Sequence, residues 1–466
     1  MVMTLLDLAN DELGTVLGKV DVNEKFIAAL VCRRFRELLP GPYSTSVATI
    51  VQSVELFRLG YACGWAPTTC TYSFVCAKAA QGGHLDFLKW AFIKDCECMF
   101  IMPGICIRLN TMIQNVIVDQ AAQKGRLDVL KWARQKQFRI DQIAFANAAE
   151  GGHLDVLKWA NEHGFPHDSR AYKGAAKGGH LDVLLWLHRN NISWHFGGDF
   201  DKMVSKQTCT AAAKSGNFVV LKWLHEKGFL WDEDTCAAAA SKGDLTVLKW
   251  LRENGCPWDE RTCASAAHYG HLEVVKWARN KGCEWLEEEI CDDAVTSGNL
   301  DLVKWLYENG CVFSDEPCGS FDRAAAQGQL EIMKWARDNG MLWNRTDGCA
   351  CSWAAEYGHL DALQWLHENG HPHLVVEQCG SHLLSNTLDI CDIAASRGHL
   401  DVLKWARTVG FPWNEMIYYN ASLHGHLKVL KWAHSNGCPW NRWVRNTMKR
   451  SCHLRVLEWV NETVFC

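Results

Sequence analysis

The 466-residue chain lacks most of what marks an enzyme, a membrane protein or a nucleic-acid binder on inspection. Its formal net charge is only −5 and its isoelectric point lies near 6.5, so the basic surplus of a nucleic-acid-binding domain is missing. No run of 18 consecutive apolar residues occurs, which excludes an ordinary transmembrane helix. The opening Met1-Val2-Met3-Thr4-Leu5-Leu6-Asp7-Leu8 has no basic segment ahead of an apolar one, so no secretory signal is visible. Phosphate-binding loop, G-x-S-x-G, G-x-G-x-x-G and kinase phrases are all absent. Cysteine is plentiful at 22 residues, yet this is below the share of roughly 8–10% that marks a short disulfide scaffold. The thiols are therefore expected to be reduced, in a cytosol-like compartment.

What is present is repetition. Lys-Trp or a close variant closes the same phrase at thirteen places, from Trp90 and Trp132 to Trp432 and Trp459, with a basic spacing of 27 residues and additions at a few joints. A fourteenth, degenerate copy precedes them, where Cys63-Gly64-Trp65 matches Cys256-Pro257-Trp258 and Phe57 takes the Trp position. One clean unit runs from Asp259 to Cys283 and predicts two short helices. Asp or Asn at the first position (Asp141, Asp168, Asp232, Asp259, Asn344, Asn414, Asn441) can cap the first helix. Cys263, Ala266 and Ala267 form a small-residue face, and Gly270 and Gly282 stop the two helices.

In the second helix only Glu273, Lys276 and Asn280 make a polar stripe; the remaining circumference is apolar. Such a helix must be covered by its partner and by both neighbouring units, so stability becomes a sum of nearest-neighbour contacts. Full burial of each Trp would be worth about 4–6 kcal/mol as an upper bound, which makes the Trp ladder the expected dominant stacking interaction.

The phrase Ala-Ala-x-x-Gly-His-Leu-[Asp/Glu]-Val-[Leu/Val]-Lys-Trp resembles the ankyrin repeat, over about residues 50–466. The family's usual period is about 33 residues with a T-P-L-H-x-A phrase. Here Thr262-Cys263-x-x-Ala266-Ala267 replaces that phrase, and the shorter period trims the projecting finger to a tight Cys-Pro-Trp turn. This short Trp-rich type is similar to arrays found in giant DNA viruses and protists. The resemblance implies an all-α, ankyrin-type helical solenoid and a protein-recognition role, in a host cytoplasm if the protein is viral.

Residues 1–42 read as a separate small helical module, ended by Pro40-Gly41-Pro42 and too short for a core of its own. Asp11-Glu12-Leu13, Val16-Leu17 and Leu30-Val31-Cys32-Arg33-Arg34-Phe35 together resemble the F-box, with Ala9 where that family prefers Pro and Phe35 where it often has Trp. The resemblance implies docking on the adaptor subunit of a cullin–RING ubiquitin ligase through Leu8, Leu13, Val31, Cys32 and Phe35. The alternative is a helical cap for the solenoid. Inserts at about 95–112, 194–204 and 375–387 are expected on the connector side, where repeat proteins place binding loops. The apolar run Cys98 to Ile107 is either an interaction patch or cover for the neighbouring unit. In the last unit Arg445 and Lys449 replace Cys263 and Ala267, so this face is expected to meet water.

Several constellations imitate chemistry. His367-Glu368-Asn369-Gly370-His371 has zincin spacing, but Gly370 is the helix stop, so the two histidines are not one helical turn apart. Cys256, Cys263 and His271 recur at the repeat spacing rather than in close ligand pairs. Other copies carry Phe165 and Phe229 at the first Cys position and Ala144 and Ala171 at the second, which describes a packing position. His271 and its equivalents alternate with Arg126, Asn217, Asp244, Asn299 and Gln329, which points to a capping or turn role rather than catalysis. Asp/Glu–Lys pairs three apart, such as Glu273 with Lys276, belong to the wet edge. No catalytic, cofactor-binding or metal-binding residue is assigned, and no nucleic-acid or membrane partner is expected. The reading is a non-enzymatic adaptor that holds an unidentified client protein on its repeats; a scaffold or decoy without ligase recruitment is the alternative.

Overall fold

The computed structural model describes residues 69–98, 106–192, 198–311, 313, 319–340, 349–370, 390–448, 456–457 and 459–460. Among these, all regular structure is helical: twenty-five helices, most of them nine residues long, and no strand. The F-box-like segment with Leu8, Leu13, Val31, Cys32 and Phe35, the fourteenth repeat copy and the third insert lie outside the described residues. The chain divides into two compact units, Met1–Thr235 and Cys236–Cys466. Each is a helical solenoid of ankyrin-like pairs.

The unit around Asp259 shows why the pair forms. The Asp259 carboxylate accepts from the Arg261 backbone N–H at 3.1 Å and caps the helix Glu260–His268. Gly270 (φ +76°) then turns the chain into the second helix, Leu272–Asn280, and Gly282 (φ +78°) turns it out again. Non-glycine side chains rarely tolerate these angles, so the glycines punctuate the repeat. The same capping bond recurs at Asp141, Asp168, Asn414 and Asn441. A further device closes the second helices: Asn190, Asn254, Asn309, Asn339, Asn369 and Asn436 donate from Nδ2 to the carbonyl four residues back, at 2.6–2.8 Å. In each case that carbonyl belongs to the repeat's Trp, and it is one of the terminal acceptors a helix leaves unsatisfied.

Successive first helices pack on one another from Thr69–Gly82 to Asp199–Ser215 and from Glu260–His268 to Arg442–Met448, and all of these but the last also pack on their own second helix. Ala pairs line the seams: Ala148 and Ala149, Ala175 and Ala176, Ala266 and Ala267, Ala354 and Ala355 are all fully buried. Their small side chains permit the close approach. Behind them Leu157, Leu184, Leu248, Val275, Val303 and Leu403 complete the core at 0% exposure.

The Trp ladder sits elsewhere than expected. Trp132, Trp159 and Trp223 are buried, but Trp186 and all the repeat tryptophans from Trp250 to Trp459 are only half-buried. The indole is too large for a seam set by alanine, so it lies along the flank of the stack and loses less water than full burial would remove.

Two of the inserts are also corrected. Residues 106–112 begin the 18-residue helix Cys106–Gln123, and 199–204 begin the 17-residue helix Asp199–Ser215. In the described parts they lengthen first helices at the N-terminal end rather than forming connector loops. The apolar run ending at Ile107 falls outside the described side chains. Val444 and Met448 of the terminal helix Arg442–Met448 are fully buried, while Arg445 is half-buried with its Nε enclosed, so that face meets water only in part.

Candidate interaction face

Capping fixes the register of the first helix, and the register separates an inner from an outer face. The inner positions are near-constant: small or β-branched, then Cys or an aromatic ring, then Ala-Ala. The outer positions vary widely among the copies. At the position of Arg261 stand Phe74, Ile143, Arg170, Gln207, Asp234, Glu289, Met416 and Trp443, and all of these are exposed or half-exposed.

This outer face is tied together by polar contacts that cross from repeat to repeat. In the first unit Gln81 bonds Gln120, Lys173 donates to Gln207 Oε1 at 2.7 Å, and Lys177 pairs with Glu150 at 2.8 Å. Asp119 faces Asp141 and hydrogen-bonds Asn147. Burial, reinforced by the Asp141 charge, outweighs that bond and raises its carboxyl pKa to about 6. In the second unit His268 Nδ1 lies 3.1 Å from Asp293, Arg323 pairs with Asp292, and Arg397 pairs with Glu356. Burial pushes Asp293 upward as well, against the opposing effect of His268.

The histidine position is not a cap. At His153, His180, His271, His399 and His426 the helix N-terminus receives no side-chain bond. Instead Nε2 reaches back to a carbonyl near the end of the preceding first helix: Gln123, Glu150, Ser241, Glu356 and Ser396, at 2.8–3.1 Å. A carbonyl only accepts, so Nε2 carries the proton in every case. The replacements explain themselves. Arg126 Nε donates to Gln81 O at 2.9 Å, while Asn217 and Asn299 donate to Gly179 O and Gly270 O. Each Asn also caps its own helix. Asp244 instead accepts from the Thr246 and Val247 backbone N–H groups and caps its own helix. The position selects donors that cross the seam.

On the flank, the turn ring contacts the next Trp edge-on: Trp258–Trp277 at 5.7 Å, Trp285–Trp305 at 6.1 Å and Trp440–Trp459 at 5.8 Å. In three repeats an Arg two residues after the repeat Trp covers the turn ring, with Arg252 over Trp258 and Arg279 over Trp285 at 4.2 Å, and Arg407 over Trp413 at 4.4 Å. Sequence reading passed over these arginines. The constant interval of two from the repeated Trp was their only signal.

The zincin-like phrase spans a helix end. The helix Leu360–Glu368 ends before Gly370 (φ +72°), so it does not carry residue 371. Among the described residues no group of three or more His, Cys, Asp or Glu could hold a metal ion, and no helix is long and apolar enough to cross a membrane. At the second Cys position the first unit carries Phe145 and Tyr172, not Ala144 and Ala171. Seven residues separate Phe145 from Gly152 and Tyr172 from Gly179, the interval from Cys263 to Gly270. Tyr172 is 1% exposed and its hydroxyl donates to Ile192 O at 3.2 Å. One expectation fails at a single pair: Cys291 and Cys311 are joined in a disulfide, with Cα atoms 6.6 Å apart. The fold brings these two residues, 20 apart in sequence, to one point, and a reading of cysteine as a small hydrophobe does not anticipate it.

A constant inner seam and a variable outer face define a helical repeat scaffold of the ankyrin-like solenoid type. Residues 351–407 match the family model described as ankyrin repeats (many copies). Among solved structures, the pentatricopeptide repeat protein PPR10 in complex with an 18-nt psaJ RNA element is 12% identical, over 97% of this chain and 81% of that chain, with a TM-score of 0.30. A cysteine-to-serine variant of that protein, with the same RNA element, gives the same values. No curated protein sequence matches the chain.

Proposed function

We propose that the chain is a non-enzymatic protein-interaction scaffold that holds a client on the outer face of its first helices. One observation carries this reading: the outer positions range over apolar, aromatic, basic, acidic and amide side chains while the seams behind them stay near-constant. Packing requires no such variety, whereas recognition of a particular protein surface does. The ankyrin match at 351–407 supports a protein partner. Paired changes on the face, Arg170→Glu with Gln207→Glu in one unit and Arg261→Glu with Arg323→Glu in the other, test it. Proteins captured by the wild type from a lysate should be lost from both variants while their helical circular dichroism is retained. Unchanged capture sinks the proposal, and recovery of RNA in place of protein redirects it.

The finer form of the proposal is that residues 1–42 recruit the adaptor subunit of a cullin–RING ubiquitin ligase through Leu8, Leu13, Val31, Cys32 and Phe35. Its support is the resemblance of that segment to the F-box. Co-purification with the adaptor at micromolar concentration, abolished by Leu13→Asp or Phe35→Asp, is the expected result. Folded wild-type protein that fails to bind leaves the scaffold without a ligase.

A further inference from the structure

We infer that three successive repeats carry thiol–disulfide staples: Cys263 with Cys283 and Cys236 with Cys256 close to disulfides at the place where Cys291 and Cys311 are joined. The argument is one of register. In each pair the first Cys lies seven residues before the glycine that ends the first helix (Gly243, Gly270, Gly298), and the second directly follows the glycine that ends the second helix (Gly255, Gly282, Gly310). The Cα separation at Cys291–Cys311, 6.6 Å, lies within the roughly 4.4–6.8 Å span that disulfides bridge. Cys263 and Cys283 are 0% and 1% exposed and hydrogen-bonded to each other; Cys236 and Cys256 are both at 0%. In other repeats the same two positions hold Phe145 with Phe165 or Tyr172 with Ile192, all but Phe165 buried. The meeting of the two positions is thus general to the fold. Only where both are Cys can the contact become covalent.

The oxidant is a low-molecular-weight disulfide of the glutathione type. Cys283, whose Sγ donates to Asp259 O at 3.3 Å and whose pKa the hydrogen bond from Cys263 lowers against the opposing effect of burial, is the thiol that loses its proton and attacks. It bonds one sulfur of the small disulfide and expels the other as a thiolate. Cys263 loses its proton, attacks the Cys283 sulfur and releases the second small thiol. Two S–H groups become one S–S bond, and two electrons pass to the small disulfide, which leaves as two thiols. Both protein sulfurs are buried, so attack waits on the opening of one repeat. In a solenoid that opening breaks contacts with the nearest neighbours only. Closure ties the first helix to the turn beyond the second and stiffens the repeats from Cys236 to Cys311, with or without a client.

The test uses the full chain, reduced, freed of reductant and incubated with oxidised glutathione. Alkylation in denaturant without further reduction, digestion and mass spectrometry then map the links. The expected result is peptides joined 236–256, 263–283 and 291–311, formed faster in sub-denaturing urea and reopened by dithiothreitol. Slower hydrogen exchange confined to these repeats should accompany closure. Cys263→Ala should abolish the 263–283 link alone. Wild-type protein whose 291–311 link has closed while Cys263 and Cys283 are recovered as alkylated thiols or separate glutathione adducts overturns the inference. Links between repeats, or failure of all three pairs to close, overturn it equally, and the mapping needs no variant to fold.

Discussion

The two helices of each repeat solve different problems. The first turns small residues inward, Ala266 and Ala267 at 0% exposure, and pays little attention to chemistry on its outer side, where Arg261, Ile143 and Trp443 occupy equivalent positions. The second repeats the same phrase almost verbatim, because its Val and Leu form the core and its Trp and Arg brace the flank. Close approach between first helices leaves no room for large side chains, so variety is confined to the surface there. The second helix has no such free face except its Asp/Glu–Lys edge, where Lys276 meets Glu273 at 3.2 Å.

If that division is right, core and flank substitutions should differ sharply. Leu248→Ala empties a fully buried site and should cost about 2–5 kcal/mol, read from urea denaturation of the full chain. Trp277→Ala removes a larger ring but a half-exposed one, and should cost only about 1–2 kcal/mol. A reversed order would restore the indoles as the main stacking element.

The seam bond sharpens the comparison further. His271→Ala leaves the Ser241 carbonyl without its donor and should cost about 1 kcal/mol, seen as faster hydrogen exchange at that seam. His271→Asn should recover most of it, as Asn217 and Asn299 do in their own repeats, whereas His271→Asp should not. Arg279→Ala uncovers the Trp285 ring and should cost about 0.5–1 kcal/mol with little salt dependence.

The remaining test is a pH slope. The Asp119 pKa is raised from 3.8 to about 6 in the folded chain, so the folded state holds the proton more tightly than the unfolded one. Its stabilising contribution is complete below pH 3.8 and disappears as pH rises through about 6. Asp119→Asn should flatten that part of the urea midpoint against pH curve for the first unit, and an unchanged slope would assign the titration elsewhere.

The repeat, its two helices, its capping residues and its glycine stops were legible in the sequence, because each rests on neighbours within a few positions. Gly270 and Asp259 act on their own turn of backbone, so a local reading finds them. The role of His271 was not legible: its partner is Ser241, 30 residues away, and the local alternative of a cap has the same sequence appearance. Asn299 in the same position could have hinted at it, since Arg126 shares with both only the ability to donate. The register of the second Cys position was misplaced by one in the repeats of Phe145 and Tyr172, because Ala144 and Ala171 beside them are also buried. The F-box-like residues Leu8, Leu13, Val31, Cys32 and Phe35 stay with the proposal that tests them.

The sequence by itself determined a 27-residue period, an all-helical pair and a chain that must stack to cover its apolar faces. These follow from periodicity and backbone preference, which act over a few residues. Tertiary structure alone decided which side chains fill the seam, which lie along the flank, and that Cys291 meets Cys311. Those outcomes depend on the distance between helices, set by the alanines of two repeats at once, and no single unit contains that distance.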